Sequence, residues 1–337
     1  MNFLVRAVER EDLGQLHDLA RQFTLLNLPA DKKVIAKKID RSLASFAGEL
    51  GKNDAEYMFV AVDLDGDYVA GSGLVVAKNG TSTSPNFSFK VIKKERFSRE
   101  LGIGFIHQIL RLQANYDGPT EVGGLVVDRS YRRRPEKIGR MVSLLRFLFI
   151  GMQPDRFEKE LHAEMAPPLT EEGRSEFWEA LGRRFTGMPY QEADVISQQN
   201  NQFIKSLFPE EDIYLCLLDS KARLVLGRVA EETQAALHML NKIGFKYKDE
   251  VDPFDGGPHL GARVEEVSLI RQAKWMKVRK VGGGPFDQQM LVATFREGKF
   301  AGSATAAQLA GEEVSFPEKT MAALKLSVGE KVFVTPL

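Results

Sequence analysis

The stretch from Glu121 to Ile150 reads EVGGLVVDRSYRRRPEKIGRMVSLLRFLFI, and its hydrophobic period changes partway along. Gly123 to Val127 is a short apolar run with β-branched residues, bounded by Asp128-Arg129-Ser130, which predicts a buried strand ending in a turn. From Ile138 the apolar residues Met141, Val142, Leu144, Leu145, Leu148 and Phe149 follow at three- and four-residue steps, which predicts a largely buried helix. The connecting loop and helix start carry Arg132, Arg133, Arg134, Lys137 and Arg140. A helix start offers unpaired backbone N–H groups and a positive dipole end, so cations gathered there make either a phosphate site or a solvated basic turn.

Composition narrows the classes. A chain of 337 residues with 43% hydrophobic content can bury a sizeable core, and its length suggests about two domains. Lys+Arg and Asp+Glu both number 46, so nothing in the net charge asks for nucleic acid or an anionic membrane. The one cysteine, Cys216, rules out an internal disulfide and a cysteine-rich metal site. The opening MNFLVRAVEREDL turns acidic by Glu9, and no apolar run is long enough to span a bilayer. The expectation is a soluble cytoplasmic protein.

Phe3 to Val8 predicts a strand and Glu9 to Ala20 a helix, with Leu13, Leu16 and Leu19 on one face. Leu26 to Ala30 breaks the pattern, and Asp31 offers an N-cap for a helix through Ile39 and Leu43. Tyr57 to Val62 and Tyr68 to Val76 are strands joined by the turn-rich Asp63 to Asp67. Phe87 to Val91 alternates as a strand does, and Lys93 to Arg96 reads as a solvated charged turn. Glu160 to Met165 is a strand, followed by a capped helix from Gly173 to a glycine stop at Gly182 and then Phe185. Leu224 to Val229 as a strand, Glu232 to Asn241 as a helix, and Gly244-Phe245-Lys246-Tyr247 repeat that order, which suggests a partial internal duplication. From Lys274 on, Val278 to Val281, Met290 to Phe295 and Lys331 to Thr335 are short strands with a helix near Phe316 to Leu326.

Strand, basic loop and helix resemble the acyl-CoA-binding element of the GNAT acyltransferase superfamily, whose R-x-x-G-x-G/A motif fits Arg134 to Gly139 with Lys137 where the first glycine belongs. Several phrases resemble one family within it, arginine N-succinyltransferase. They are V-R-x-V-E-R-x-D-L at the start, L-P-A at Leu28 to Ala30, S-x-x-R-F-L-F-I at Ser143 to Ile150, A-E-M at Ala163 to Met165, EGRSEFWEALGRRF at Glu172 to Phe185, and F-D-G-G-P at Phe254 to Pro258. The implied fold is α/β (α+β): a GNAT-like core over 1–200, a second half-GNAT unit over 201–272, and a small β-rich C-terminal appendage over 273–337. The implied reaction moves a succinyl group from succinyl-CoA to the α-amino group of arginine, without a metal, in a homo-oligomer or a hetro-oligomer with a related chain. Two departures stand out. The loop is two residues longer than the family's and lacks glycines, and the family's catalytic histidine, in V-H-P-x-T, falls on Ala230 of Val229 to Thr233.

By resemblance, Arg134, Lys137, Gly139 and Arg140 hold the CoA phosphates, and the amides of Leu125, Val126 and Val127 hold the pantetheine and the thioester carbonyl. Glu121 is a general base or a strand-capping carboxylate, Glu231 stands beside Ala230 as a replacement base, and Tyr116 is a proton donor or an aromatic lid residue. Glu164 either pairs with an arginine or binds the substrate guanidinium. His107, His162 and His238 are further possible bases, none at the family's histidine position. Asp255 serves its turn or recognises a cation. The alternatives are a silent or regulatory partner subunit, or a GNAT enzyme with another acyl donor or amine.

Overall fold

The computed structural model describes residues 2–23, 28–197, 200–279 and 285–337. Leu26, Asn27 and Val281, which figure in the expectations above, lie outside these residues. In chain order the first elements are β1 (Phe3–Ala7), α1 (Leu13–Ala20), α2 (Lys32–Ala47), β2 (Glu56–Asp63), β3 (Tyr68–Val76), β4 (Asn86–Ser98), β5 (Ile103–Asn115), β6 (Thr120–Val127) and α3 (Ile138–Met152). Next come β7 (Glu160–Glu164), α4 (Glu176–Ala180), α5 (Gly182–Thr186), α6 (Tyr190–Ser197), α7 (Gln202–Leu207), β8 (Ile213–Tyr214), α8 (Ser220–Val225) and α9 (Gln234–Ile243). The chain then forms β9 (Lys246–Val251), β10 (Pro258–Arg263), α10 (Ser268–Gln272), β11 (Lys274–Val278), β12 (Gln288–Arg296), β13 (Lys299–Ala310), β14 (Glu313–Ser315), α11 (Glu318–Ala323) and β15 (Lys331–Pro336). Helices and strands are both substantial, so the α/β class expected from the sequence holds. Among the described residues no helix is long and apolar enough to cross a membrane.

The chain divides into two compact units. The first joins three separated segments: the chain up to Lys78, Thr120–Leu161 and Arg263–Leu337. Its sheet runs β13-β1-β2-β3-β6, each pair antiparallel. Residues of β2 alternate between faces, as a strand requires. Met58, Val60 and Val62 pack with Leu16, Leu19, Ile35 and Ile39 of α1 and α2. Tyr57 and Phe59 meet Phe149 of α3 at ring-centroid distances of 5.1 and 5.6 Å. Asp31 caps α2 as expected, accepting from the N–H groups of Lys33 and Val34.

The C-terminal strands close on one another. β12 pairs with both β13 and β15, β15 with β11, β11 with β14, and β14 with β13, so the five strands form a closed ring of pairings around Met276, Met290, Val292, Val314, Phe316 and Val334. Closure removes free edges. The long β13 also pairs with β1, Val5 facing Gly302, and this shared strand assigns the segment to the first unit.

The second unit comprises Asn79–Pro119 and His162–Ala262. Its strands follow the order β7-β10-β9-β4-β5-β8. Trp178 is fully buried at its core, its ring stacked on Phe254 at 5.1 Å and its Nε1–H donating to the Met188 carbonyl at 2.8 Å. Three local expectations are corrected here. Lys93 to Arg96 is not a turn but the middle of β4, which pairs with β5 without interruption from Asn86↔Asn115 to Ser98↔Ile103. The helix after Pro168 is capped by Ser175, whose Oγ accepts from the Trp178 N–H, and Gly182 opens α5 instead of ending a longer helix. Leu224 to Val229 is not a strand: α8 ends at Val225 and the chain continues irregularly to Ala230. The second strand–helix–Gly-Phe–strand run therefore lacks its opening strand, while α9, its left-handed cap Gly244 and β9 occur as expected.

Candidate functional site

In the first unit, β3 and β6 pair from Val76↔Glu121 to Gly71↔Val127, but their register shifts between Ser72/Val126 and Leu74/Gly123. The shift places one more residue on β6 than on β3, and Gly124 takes a left-handed φ of 57° there. This is a β-bulge, which leaves a residue out of the ladder and re-aims its backbone groups. Behind it, α3 contributes Arg146, which is 3% exposed. Its Nη1 donates to the carbonyls of Leu74 at 2.9 Å and Gly123 at 2.6 Å, the two residues facing each other where the register slips. Nη2 donates to Ser143 Oγ at 3.1 Å. Burial lowers the guanidinium from its ordinary 12.5 to about 10.

Past β6, Asp128 fixes the turn that the sequence predicted. Its carboxylate accepts from Ser130 N–H and Oγ, Gln22 Nε2 and the Tyr68 hydroxyl, at 2.6 to 2.8 Å. Burial alone would raise its pKa, but these donors outweigh it and hold the carboxyl at about 2. The basic loop follows. Arg132 lies 4.3 Å from the Phe23 ring and donates through Nε to the Val127 carbonyl, and Arg134 lies 4.1 Å from the Tyr131 ring and donates through Nε to the Ser130 carbonyl. Lys137 is the N-cap of α3 with φ 51° and ψ 53°, so the left-handed conformation a glycine would supply is kept by a lysine. The Lys137 side chain makes no cap hydrogen bond, and a Cβ on Gly139 would come within 3.1 Å of Val127 Cγ2. The helix start thus sits close against the end of the bulged strand, its first amides not bonded by the side chain of its own N-cap residue. Glu121 lies at the start of β6 opposite Val76, half-buried.

The second unit holds the remaining predicted residues. Tyr116 is exposed, its hydroxyl accepting from Lys205 Nζ at 3.0 Å. Ala230 donates its N–H to the Ala166 carbonyl at 2.9 Å, and Glu231 follows, exposed, in a short 3-10 turn. His107 lies on β5 and His238 is exposed on α9. Asp255 accepts from Gly257 N–H at 2.8 Å, and Asp252 accepts from the N–H groups of Phe254 and Asp255, so the F-D-G-G-P turn is held by two half-buried carboxyls. Desolvation raises both, helped at Asp252 by the charges of Asp255 and Glu164 and at Asp255 by those of Glu164 and Asp194, which brings Asp255 to about 7.

Glu164 pairs with histidines, not with the arginine the sequence suggested. Its Oε1 lies 3.1 Å from His162 Nε2 and 3.8 Å from His259 Nε2, and the two rings are 4.6 Å apart, edge to face. Burial would raise Glu164, but hydrogen bonding to His162 and the neighbouring His259 bring it below the ordinary carboxylate range. Burial lowers His259 to about 4, so it stands as a neutral imidazole at pH 7. A cavity of about 240 Å³ adjoins these rings, lined also by Asn86, Ser88, Gln113, Lys248 and Glu250. His259 escaped the sequence reading because β10 brings it beside β7 across a long sequence separation, with no local spacing to mark it.

Residues 3–269 match the family model described as arginine N-succinyltransferase beta subunit. An arginine N-succinyltransferase of Citrobacter koseri is 34% identical over 82% of this chain and 80% of its own length. One from Photorhabdus laumondii is 31% identical over 99% and 98%. Among solved structures, subunit AI of arginine/ornithine succinyltransferase from Pseudomonas aeruginosa superposes with a TM-score of 0.86 at 27% identity, covering 99% of this chain and 98% of that one.

Proposed function

Since the chain belongs to the arginine N-succinyltransferase family, we propose that it transfers a succinyl group from succinyl-CoA to the α-amino group of arginine. The observation that carries this reading is the continuous run of bulged strand, basic loop and left-handed helix start in the first unit. The CoA pyrophosphate sits at the start of α3, where the amide of Gly139 and the side chains of Arg134, Lys137 and Arg140 offer N–H groups and positive charge. Backbone amides of Leu125, Val126 and Val127, turned by the bulge, hold the pantetheine and polarise the thioester carbonyl.

The neutral amine of arginine attacks that carbonyl, the C–N bond forms, and the C–S bond breaks with CoA leaving as thiolate. The amine's proton has to go to a base. Glu121 is the base we assign, because it lies on the same strand as the bulge. Glu231 and Tyr116 are the alternatives, Glu231 as a replacement base beside Ala230 and Tyr116 as proton donor to the leaving thiolate. The reaction as proposed needs no metal, and a thioester donor of this kind fits a cytoplasmic protein.

One observation favours a second reading. Ala230 occupies the position of the family's histidine and its methyl group cannot move a proton. The chain would then be a silent or regulatory member of an oligomer with a related chain, and its solved relative is itself described as a subunit.

The test is thiol release from succinyl-CoA by the purified chain with and without arginine, beside acetyl-CoA and an Arg134→Ala control. Arginine-dependent release, weakened in the control, supports the transferase. No release from folded protein with either donor refutes it for the isolated chain and favours the partner-subunit reading.

A further inference from the structure

His162, Glu164 and His259 have no task in the reaction proposed above, yet two buried imidazoles meet a more exposed carboxylate here. His162 is 2% exposed and His259 1%. Among the described residues, His162 Nδ1 and both ring nitrogens of His259 are buried without a hydrogen-bond partner. A buried polar atom left unpaired is costly, so an orphaned imidazole calls for a ligand that satisfies it. Glu164 Oε1 lies 3.8 Å from His259 Nε2, too far for a hydrogen bond. One atom from each of the three side chains lies within 4.8 Å of the others.

We infer that His162, Glu164 and His259 form a binding site for a divalent transition-metal ion of the zinc type, with one coordination position open toward the adjoining cavity. Three protein ligands bound at about 2.0–2.2 Å in tetrahedral array stand roughly 3.3 Å from one another. The observed separations of 3.1 and 3.8 Å from Glu164 Oε1 to the two Nε2 atoms bracket that spacing. Two imidazoles and one carboxylate suit zinc, cobalt or nickel, whereas calcium and magnesium take all-oxygen sets. His162 and Glu164 are two residues apart on β7 and so share a face of the strand, and β10 supplies His259 from alongside. Asn86, Ser88, Gln113 and Lys248 line the cavity at the open position, where a water or a small anionic ligand would complete the coordination.

The inference does not depend on the acyltransfer reading, and its test does not use activity. The full chain is stripped with a chelator, then titrated with Zn²⁺ by calorimetry and, separately, with Co²⁺ by absorption spectroscopy. One ion should bind per chain, the cobalt form should show the visible bands of a four- or five-coordinate site, and no thiolate charge-transfer band should appear, since exposed Cys216 takes no part. His259→Asn and His162→Gln should each weaken Zn²⁺ binding at least ~100-fold while Glu164→Gln weakens it about 10-fold or more, removing a ligand being at least as costly as removing its support. Circular dichroism checks that each variant is folded. The cobalt spectrum of the unaltered chain serves if a variant is not. No stoichiometric binding, an octahedral cobalt spectrum, or binding that survives both histidine substitutions in folded protein would overturn the site.

Discussion

Arg146 supports the bulge in β6 at a cost, and replacing it with lysine separates that cost from the benefit. The fall of its pKa from 12.5 to about 10 corresponds to about 3 kcal/mol spent on burying the charge. Against this, Nη1 donates to two backbone carbonyls at 2.9 and 2.6 Å, and charge-assisted hydrogen bonds contribute roughly 1.5–3 kcal/mol each. The wild-type balance is thus near zero to modestly favourable. Lysine keeps the buried charge but lacks the planar fork, so it reaches one carbonyl and leaves the other bare. Losing one charged hydrogen bond and stranding one carbonyl should destabilise Arg146→Lys by about 3 kcal/mol. Urea unfolding followed by tryptophan fluorescence and circular dichroism measures this through the shift in midpoint at unchanged slope. In the same variant, turnover should fall more than the KM for acyl-CoA rises, because the bulge aims the carbonyl-binding amides while the loop holds the phosphates. A stability change under about 0.5 kcal/mol would refute the reasoning, since a guanidinium so placed cannot then be holding the two strands at the slip.

Lys137→Gly should stabilise the chain by about 1 kcal/mol by relieving a left-handed lysine, and should raise the KM for acyl-CoA by removing a cation; thermal melting and kinetics would reveal both. Burial raises Asp194 from 3.8 to about 7, so its contribution to stability is full below pH 3.8 and is lost as the pH climbs to 7. Asp194→Asn should therefore gain on the wild type by about 2 kcal/mol between pH 5 and pH 7.5, and denaturation curves that stay parallel across that range would count against it. Gly182→Ala would set a Cβ 2.3 to 2.6 Å from atoms of the buried Trp178 ring, which should cost about 2 kcal/mol by overpacking, visible as a lowered melting temperature and altered tryptophan emission.

The strand, loop and helix of residues 121–150 were readable because each is written in a local period, two residues for the strand and between three and four for the helix. The bulge was not, since it depends on how β6 meets β3. The charge run at Lys93 to Arg96 misled because β4 and β5 are exposed along this part of their length, so polar side chains project from both faces and alternation disappears. Leu224 to Val229 has the apolar content of a strand, but no neighbouring strand takes it up. β13, KFAGSATAAQLA, is made of small residues that seldom announce a strand, and its structure gives the reason: a Cβ on Gly302 would meet Leu145 Cδ2 at 2.8 Å and the Val292 carbonyl at 2.9 Å. In the candidate site, Arg134, Lys137 and Gly139 were found from a short motif. His259 was invisible because only the register of distant strands gives it neighbours.

The pairing of Val5 with Gly302 also bears on how the protein is made. β1 finds β2 soon after synthesis begins, but its other edge has no partner until β13 leaves the ribosome, roughly 300 residues later and, at about 5–20 residues per second, some 15–60 s on. For that interval a nascent sheet carries an open, apolar edge able to recruit other chains. A chain halted at residue 272 should therefore precipitate or bind a holdase chaperone, whereas one released after residue 337 should not. Equal solubility of the two in a cell-free translation would show that β1 is protected by some other means while it waits.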